Sequence, residues 1–540
     1  MADDKLCPKP PHKTFVRDAT GLTKQLSTLD SLGIAVNAVG VLYVFSVLPF
    51  TLAFYPQANA IMAPVVGLIL SLPIAAVYIL LSIAIPRAGG DYVWVGRILH
   101  PSIGFINSLA FTLIWLAIPG AGAASLSPWA VSAYFYDLGK LYNNQNYLNL
   151  ATFLQGANPS FAIAVVALVV AGLLVALSTG LVSKIMRFWA FVSIAIVVVF
   201  CVTVLAAGNS AFISNFNALS GANYNTVISE GAQAGASPGI APIFSEATLT
   251  AGVVGIIGYV GFNFSAYFSS EVRELRKSQI VAQLGSLFIF GVVYVVTLLV
   301  WYFGEGPAFA NAMSTLWAAG SANYPYITVP LASSVSMFWT QNIFLISLFC
   351  IGYIAGVVIT ASAQFFAITR NLFAWSFDRI MPESFASVND RTHTPLNATI
   401  IIVIITLIFS YISVYQYGLL ALYFTYSIAG LFIVYLVVSI SAIVFPYTKK
   451  ELFESAFGKS KMKIGGVPLI SILGVISAIA SLVVVYALVA PAIGGPFLAT
   501  FIEGVIPTFV IGVVVYMVAW AVRRRQGINI DLLQAELPPE

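Results

Sequence analysis

Gly252, Gly255, Gly258 and Gly261 recur at every third residue of an apolar stretch, and Asn263 and Ser265 follow them. The stretch ends in the charges Glu271, Arg273, Glu274, Arg276 and Lys277. Glycine costs about 1 kcal/mol relative to alanine inside a helix, so four in one span leave a helix free to break. In lipid, the backbone groups freed by a break are tolerated only where they face protein, a ligand or water. The chemistry on offer is recognition by peptide N–H and C=O groups. Discontinuous helices near the bilayer midplane hold the substrate in many secondary transporters. The same glycines also suit close helix packing through small residues, and this stretch alone leaves both readings open.

The rest of the chain must position that stretch. It has 540 residues, 60% of them hydrophobic and 8% charged, against about 25% charged in ordinary soluble domains. Its mean hydropathy is +0.95. Apolar runs long enough to cross a hydrocarbon core of about 30 Å recur along it. They predict an all-α polytopic membrane protein with twelve spans, near 31–54, 62–85, 102–128, 160–179, 187–207, 248–270, 280–303, 341–368, 396–415, 417–445, 467–490 and 499–522. Residues 1–30 are polar and basic and do not read as a cleavable signal peptide. Cys7, Cys201 and Cys350 do not suggest a disulfide framework, and His12, His100 and His393 are not spaced for a metal.

Basic residues accumulate in cytoplasmic connections. With the N-terminus placed inside, every lysine and arginine except Lys140 falls on the cytoplasmic side. A miscounted span would destroy that asymmetry, so both termini are expected to be cytoplasmic, in a plasma membrane. The net charge of +4 reflects this bias and calls for no nucleic-acid partner. Two outer connections, 208–247 and 304–340, are long and poor in charge. The first reads as flexible; the second contains Tyr324–Trp339, apolar enough to lie as short helices on the outer surface. Ionisable residues within the spans are nearly absent: Glu503 lies near the outer end of the last span, with Asp30 and Glu271 at inner edges. Their scarcity argues against a proton wire of buried carboxylates and against a cationic substrate held by a buried acid.

Three stretches carry a more specific signal. Pro86-Arg-Ala-Gly-Gly-Asp-Tyr92 is followed by an aromatic run and by His-Pro101-Ser-Ile-Gly104-Phe105. Ser362 to Arg370-Asn371 is followed by Asp378-Arg-Ile-Met-Pro382-Glu and then Thr394-Pro395. Gly261-Phe262 precedes Glu271 and a charged linker. Together, and in this order, they resemble the amino acid–polyamine–organocation (APC) transporter superfamily over roughly residues 30–450.

The resemblance implies a core of two five-helix repeats of opposite topology (LeuT-like), residues 31–207 and 248–445, joined by an extracellular loop, 208–247. Two peripheral spans would occupy 446–522, between the cytoplasmic segments 1–30 and 523–540. The substrate would lie between broken spans 1 and 6, at Asn37, Ala38, Val39, Gly40 and Val41 and at Tyr259, Val260, Gly261, Phe262 and Asn263. Exposed C=O groups at one half-helix end and N–H groups at the other suit a zwitterionic amino acid without any charged side chain. Asp91, Phe262, Glu271 and Arg370 are gating candidates, with Arg370 pairing Glu271 or Asp91. Ordinary readings stand beside these: packing for Phe262, an interfacial loop anchored by Tyr92 and Trp94 for Asp91–Leu99, inward-biased charge for Arg370, and a helix cap for Asn37.

The chain departs from the family's pattern in three places. The expected break of span 1, Asn37-Ala-Val-Gly40-Val, has one glycine where the family usually shows a Gly-rich stretch. Asn263 stands where an acid often follows Gly-Phe. Ser193 stands where a lysine marks many sodium-independent members. Coupling to Na⁺ through span 1 carbonyls with Thr360 or Ser362, coupling to H⁺, and exchange are all left open.

The function expected is secondary transport of a neutral or apolar amino acid by alternating access, with no cofactor and no metal. An amine or polyamine permease, or a channel or receptor on the same scaffold, are the alternatives. No P-loop, H-E-x-x-H or pair of catalytic carboxylates supports an enzyme. Nothing in the chain identifies a partner subunit.

Overall fold

The computed structural model describes residues 22, 24–389, 392, 394–457, 462–489, 498–528 and 530. Cys7, His12, His393 and Arg391, with most of the N-terminal segment and the last ten residues, lie outside the described residues. Among the described residues twelve helices are long and apolar enough to cross a membrane. They are Thr28–Phe54, Met62–Ala84, Pro101–Leu141, Ala157–Ala176, Thr179–Leu219, Glu246–Glu271, Leu275–Glu305, Ile343–Phe377, Leu396–Tyr415, Ile428–Thr448, Leu469–Val489 and Val505–Arg525, numbered here as spans 1 to 12. The protein is an all-α polytopic membrane protein; among the described residues the sheet is a single two-stranded hairpin, Lys463–Ile464 with Val467–Pro468.

Burial follows the bilayer as solvent. On span 5, Phe188, Phe191, Val198, Val202 and Leu205 form an exposed stripe, while Ser193, Ile196, Phe200 and Val204 turn inward. Lipid is as apolar as leucine, so an outward hydrophobic face carries no cost there, and the polar residues are collected inside the bundle. Span 1 is buried along most of its length and span 12 along little of it.

Span 1 starts at a capping box. Ser27 Oγ accepts from the Asp30 N–H, and Asp30 Oδ2 accepts from the Ser27 N–H at 3.1 Å. Asp30 also faces Arg187 of span 5 at 3.3 Å. Just before it, Leu26 exchanges backbone hydrogen bonds with the segment after span 6, through the carbonyl of Glu271 and the N–H of Arg273. The start of the chain's first span is thereby tied to the end of its sixth.

Two expectations are corrected. Residues 208–247 are not simply a flexible loop: span 5 continues through a kink at Gly208 (φ 70°) to Leu219, and Tyr224–Gln233 forms another helix capped by Asn223. Phe212 and Phe216, four residues apart, put both rings on one face of that extension, against Phe309 and Phe338. The connection 304–340 does form short helices, Pro307–Ala318 and Ala332–Val335. It is not laid on the surface, however, since Val329, Leu331, Ala332, Met337 and Phe338 are fully buried beneath its neighbours.

Candidate functional site

Span 1 breaks where a glycine permits it. A helix from Thr28 to Val39 gives way to Gly40 (φ 91°, ψ 96°), then to a tighter turn Val41–Tyr43 and a second helix Val44–Phe54. Side chains with a Cβ rarely adopt such a φ, and an added Cβ would also meet Thr360 Oγ1 at 2.7 Å. Span 6 breaks in the same manner. Helix Glu246–Gly255 tightens at Ile256–Tyr259, Val260 is extended, and Gly261 is left-handed (φ 110°) before the tight turns Phe262–Glu271.

The two breaks touch. A Cβ on Gly261 would lie 3.0 Å from the Ala38 carbonyl oxygen and 3.2 Å from the Val39 nitrogen. Backbone therefore faces backbone at the centre of the molecule, and an added side chain would have nowhere to go.

Several freed carbonyls are already engaged by side chains. Gln364 of span 8 donates to the Ala38 carbonyl at 3.1 Å, and Tyr294 of span 7 donates to that of Gly258 at 2.7 Å. Ser265 and Gln279 make a reciprocal pair at 2.9 and 3.0 Å that supports the lower half of span 6. Buried polar groups normally have partners. Here Asn263 Nδ2, Gln364 Oε1, Trp115 Nε1 and Tyr267 Oη have none among the described residues. Polar groups around the breaks thus remain unsatisfied by the described residues.

The expected site residues sort as follows. Ala38, Val39, Gly40, Val41, Val260, Gly261, Phe262 and Asn263 are all buried at the paired breaks. Asn37 turns its amide the other way, donating to the carbonyls of Gly33 at 2.9 Å and Met186 at 2.6 Å. It is a strut between spans 1 and 5. Tyr259 donates to the Pro64 carbonyl at 2.7 Å and joins spans 6 and 2. Phe262 lies 6.5 Å from the ring of Tyr78 and 6.4 Å from that of Tyr435. Asn263 Oδ1 accepts from Tyr435 at 3.4 Å. Ser362 bonds within its own helix and Ser193 to the Ala190 carbonyl, while Thr360 faces Gly40.

Below the breaks lies the end of the bundle that carries Arg97 and Arg370. Arg370 grips Glu271 with two bonds of 2.8 Å, Nε to Oε1 and Nη2 to Oε2. Its Nη1 donates to the Phe366 carbonyl and to Thr369 Oγ1, and its guanidinium lies 3.8 Å over the Phe366 ring. Both partners are fully buried, which such a charge tolerates only when paired and hydrogen-bonded throughout. Of the two acids open to Arg370, the fold supplies Glu271. Beside this pair, Arg97 and Tyr92 both donate to Asp378 Oδ2 at 2.7 Å. Burial, and then the Asp378 carboxylate, push the Tyr92 phenol well up, so it stays a donor.

Gln279, Gln364, Tyr78, Tyr435 and the Arg97–Asp378 pair escape the sequence expectation. Glutamines in apolar spans are a signal in their own right; the partner of each is not. The near absence of ionisable groups from the spans also needs correction. Spans 3 and 7 extend far enough to bury Asp137, which accepts from Tyr326 at 2.6 Å, and Glu305, which accepts from Trp301 at 2.8 Å. Among the described residues no group of three His, Cys, Asp or Glu side chains is placed to hold a metal ion.

The profile of an amino acid permease family matches residues 26–519 of the chain. No curated protein matches it.

Proposed function

The chain belongs to the amino acid permease family, a family of transporters, and from that premise we propose that it moves a neutral or apolar amino acid across the plasma membrane by alternating access. The observation that carries this reading is the contact of Gly261 with Ala38 and Val39, which puts two interrupted helices back to back. The α-ammonium would be accepted by span carbonyls left open at the breaks, and the α-carboxylate by backbone N–H groups. Asn263 Nδ2, which has no partner among the described residues, adds a donor at the same level. Phe262, Tyr78 and Tyr435 would line the space for an apolar side chain. Such a site needs no buried ion at the breaks themselves, which suits a zwitterion whose two charges are held by dipoles.

In this proposal spans 1–5 and 6–10 are the two repeats, each opening on a broken helix. Glu271–Arg370 and Arg97–Asp378 close the cytoplasmic end and separate when it opens. Both termini face the cytoplasm.

The test is uptake by purified protein in liposomes. Some labelled neutral amino acid should accumulate, and Gly261→Leu should abolish uptake while the protein still elutes as a folded species from size-exclusion chromatography. Uptake by that variant at the wild-type rate would remove the paired breaks from the mechanism. A thermal-shift screen of amino acids and amines would name the substrate, since a ligand of the folded state raises its apparent stability.

A further inference from the structure

Asp91 opens the connecting helix Asp91–Ile98, and its carboxyl is fully buried. Oδ2 accepts a long hydrogen bond, 3.5 Å, from the Tyr78 hydroxyl. Among the described residues Oδ1 and the nearby Tyr267 hydroxyl each lack a hydrogen-bond partner, and that hydroxyl lies within electrostatic reach of the acid. Tyr435 faces the same carboxyl from span 10 and hydrogen-bonds Asn263 at the break. The rings of Tyr78 and Tyr435 stand 5.5 Å apart, and both lie within 6.5 Å of the Phe262 ring.

Among the described residues no cation is paired with it. Arg97 on its own helix is bound to Asp378, and Arg370 of span 8 is bound to Glu271. Span 2 presents Tyr78, span 6 presents Tyr267, span 10 presents Tyr435, and the stretch of span 3 beside the helix, Pro101–Ser125, has no titratable residue. Among the described residues none forms an ion pair with Asp91. An isolated buried carboxylate is costly and avoids the cost by keeping its proton. Nearby Glu271 and Asp378, equally buried, each have an arginine; Asp91 has only phenols.

We propose that Asp91 is a proton-binding site that couples transport to a proton gradient, holding a proton while the arginine-bearing end is closed and releasing it when that end opens to water. This rests on the permease reading and adds the coupling ion to it. Burial pushes the Asp91 carboxyl up from 3.8 to about 7, with the nearby Tyr267 hydroxyl, the Tyr92 N–H and the Tyr78 hydroxyl acting in the opposite direction. A raised acid favours its neutral form, so below about 7 the closed state retains a proton that a hydrated carboxyl would lose. Opening therefore releases a proton on the arginine-bearing side, and rising pH favours opening. The proton and the substrate leave together, which is symport.

The experiment uses full-length protein in liposomes with the membrane potential clamped, and an equimolar mixture of labelled neutral L-amino acids as probe. An inside-alkaline gradient of one pH unit should raise accumulation by up to about tenfold, the ceiling for one proton per substrate. Asp91→Asn should abolish that response. Infrared spectroscopy of the wild type should show a protonated-carboxyl band that titrates near 7. Tyr78→Phe, which removes a donor that favours the charged form, should move the midpoint upward. Wild-type uptake indifferent to the gradient, a gradient response that survives Asp91→Asn, or a midpoint in the ordinary carboxylate range would each overturn the proton site and leave the permease reading intact. No uptake of any amino acid under any gradient would overturn the permease reading and this inference with it.

Discussion

The two ends of the bundle are closed by different forces. At one end, Arg370–Glu271 and Arg97–Asp378 are fully buried ion pairs with every contact between 2.7 and 2.8 Å. At the other, rings do the work: Phe309 stacks on Tyr224 at 4.5 Å and meets Phe216 at 4.8 Å, with Phe338 and Trp339 behind them. Separated ion pairs regain the water they lost on burial, so their net cost of opening is small compared with their attraction. Separated rings gain nothing from water and expose apolar surface. In the proposed cycle both ends must open, and these contacts predict that the arginine-bearing end parts at a lower cost than the aromatic end.

The largest effect that would break this comparison is at Arg370. Arg370→Ala strands the buried Glu271 carboxylate, and thermal or denaturant unfolding in detergent should show a loss of roughly 3–5 kcal/mol. The double variant Glu271→Gln with Arg370→Met should recover most of it, because no charge is then left unpaired; a double variant as unstable as the single one would contradict the account. Phe309→Ala should cost about 3 kcal/mol by leaving a cavity under Tyr224, and that loss should be insensitive to salt. Tyr326→Phe removes a partner from buried Asp137 and should cost about 1–3 kcal/mol by the same assay. The smallest effect belongs to Arg187→Gln. Its bond to Asp30 is 3.3 Å long and its side chain is 38% exposed, so the loss should stay below about 1 kcal/mol and vanish in high salt.

The break in span 1 was placed by the family resemblance, and the structure puts it at Gly40, where the chain takes φ 91°. In span 6 the break falls at Gly261, at φ 110°. Asn37 was legible as a polar residue beside the break, but its orientation was not. Whether an asparagine points into a site or across to Met186 depends on span 5, some 149 residues further along. Asp91 was legible as a gating candidate, but its burial beside Tyr78, Tyr267 and Tyr435 was not, because those residues come from spans 2, 6 and 10. The span limits of 128 and 303 hid Asp137 and Glu305, because a helix that outgrows the apolar run is stabilised by packing that hydropathy does not measure.

Membrane residence and the count of twelve spans were written in the chain, since a bilayer tests each segment locally, by length and polarity, while the two interruptions were expected from the family resemblance. The meeting of the two interruptions, the assignment of Arg370 to Glu271, and the stranding of Asp91 among three phenols were settled in three dimensions. A carboxylate's fate depends on which cation reaches it first, and residues that are distant along the chain become neighbours only when the helices pack.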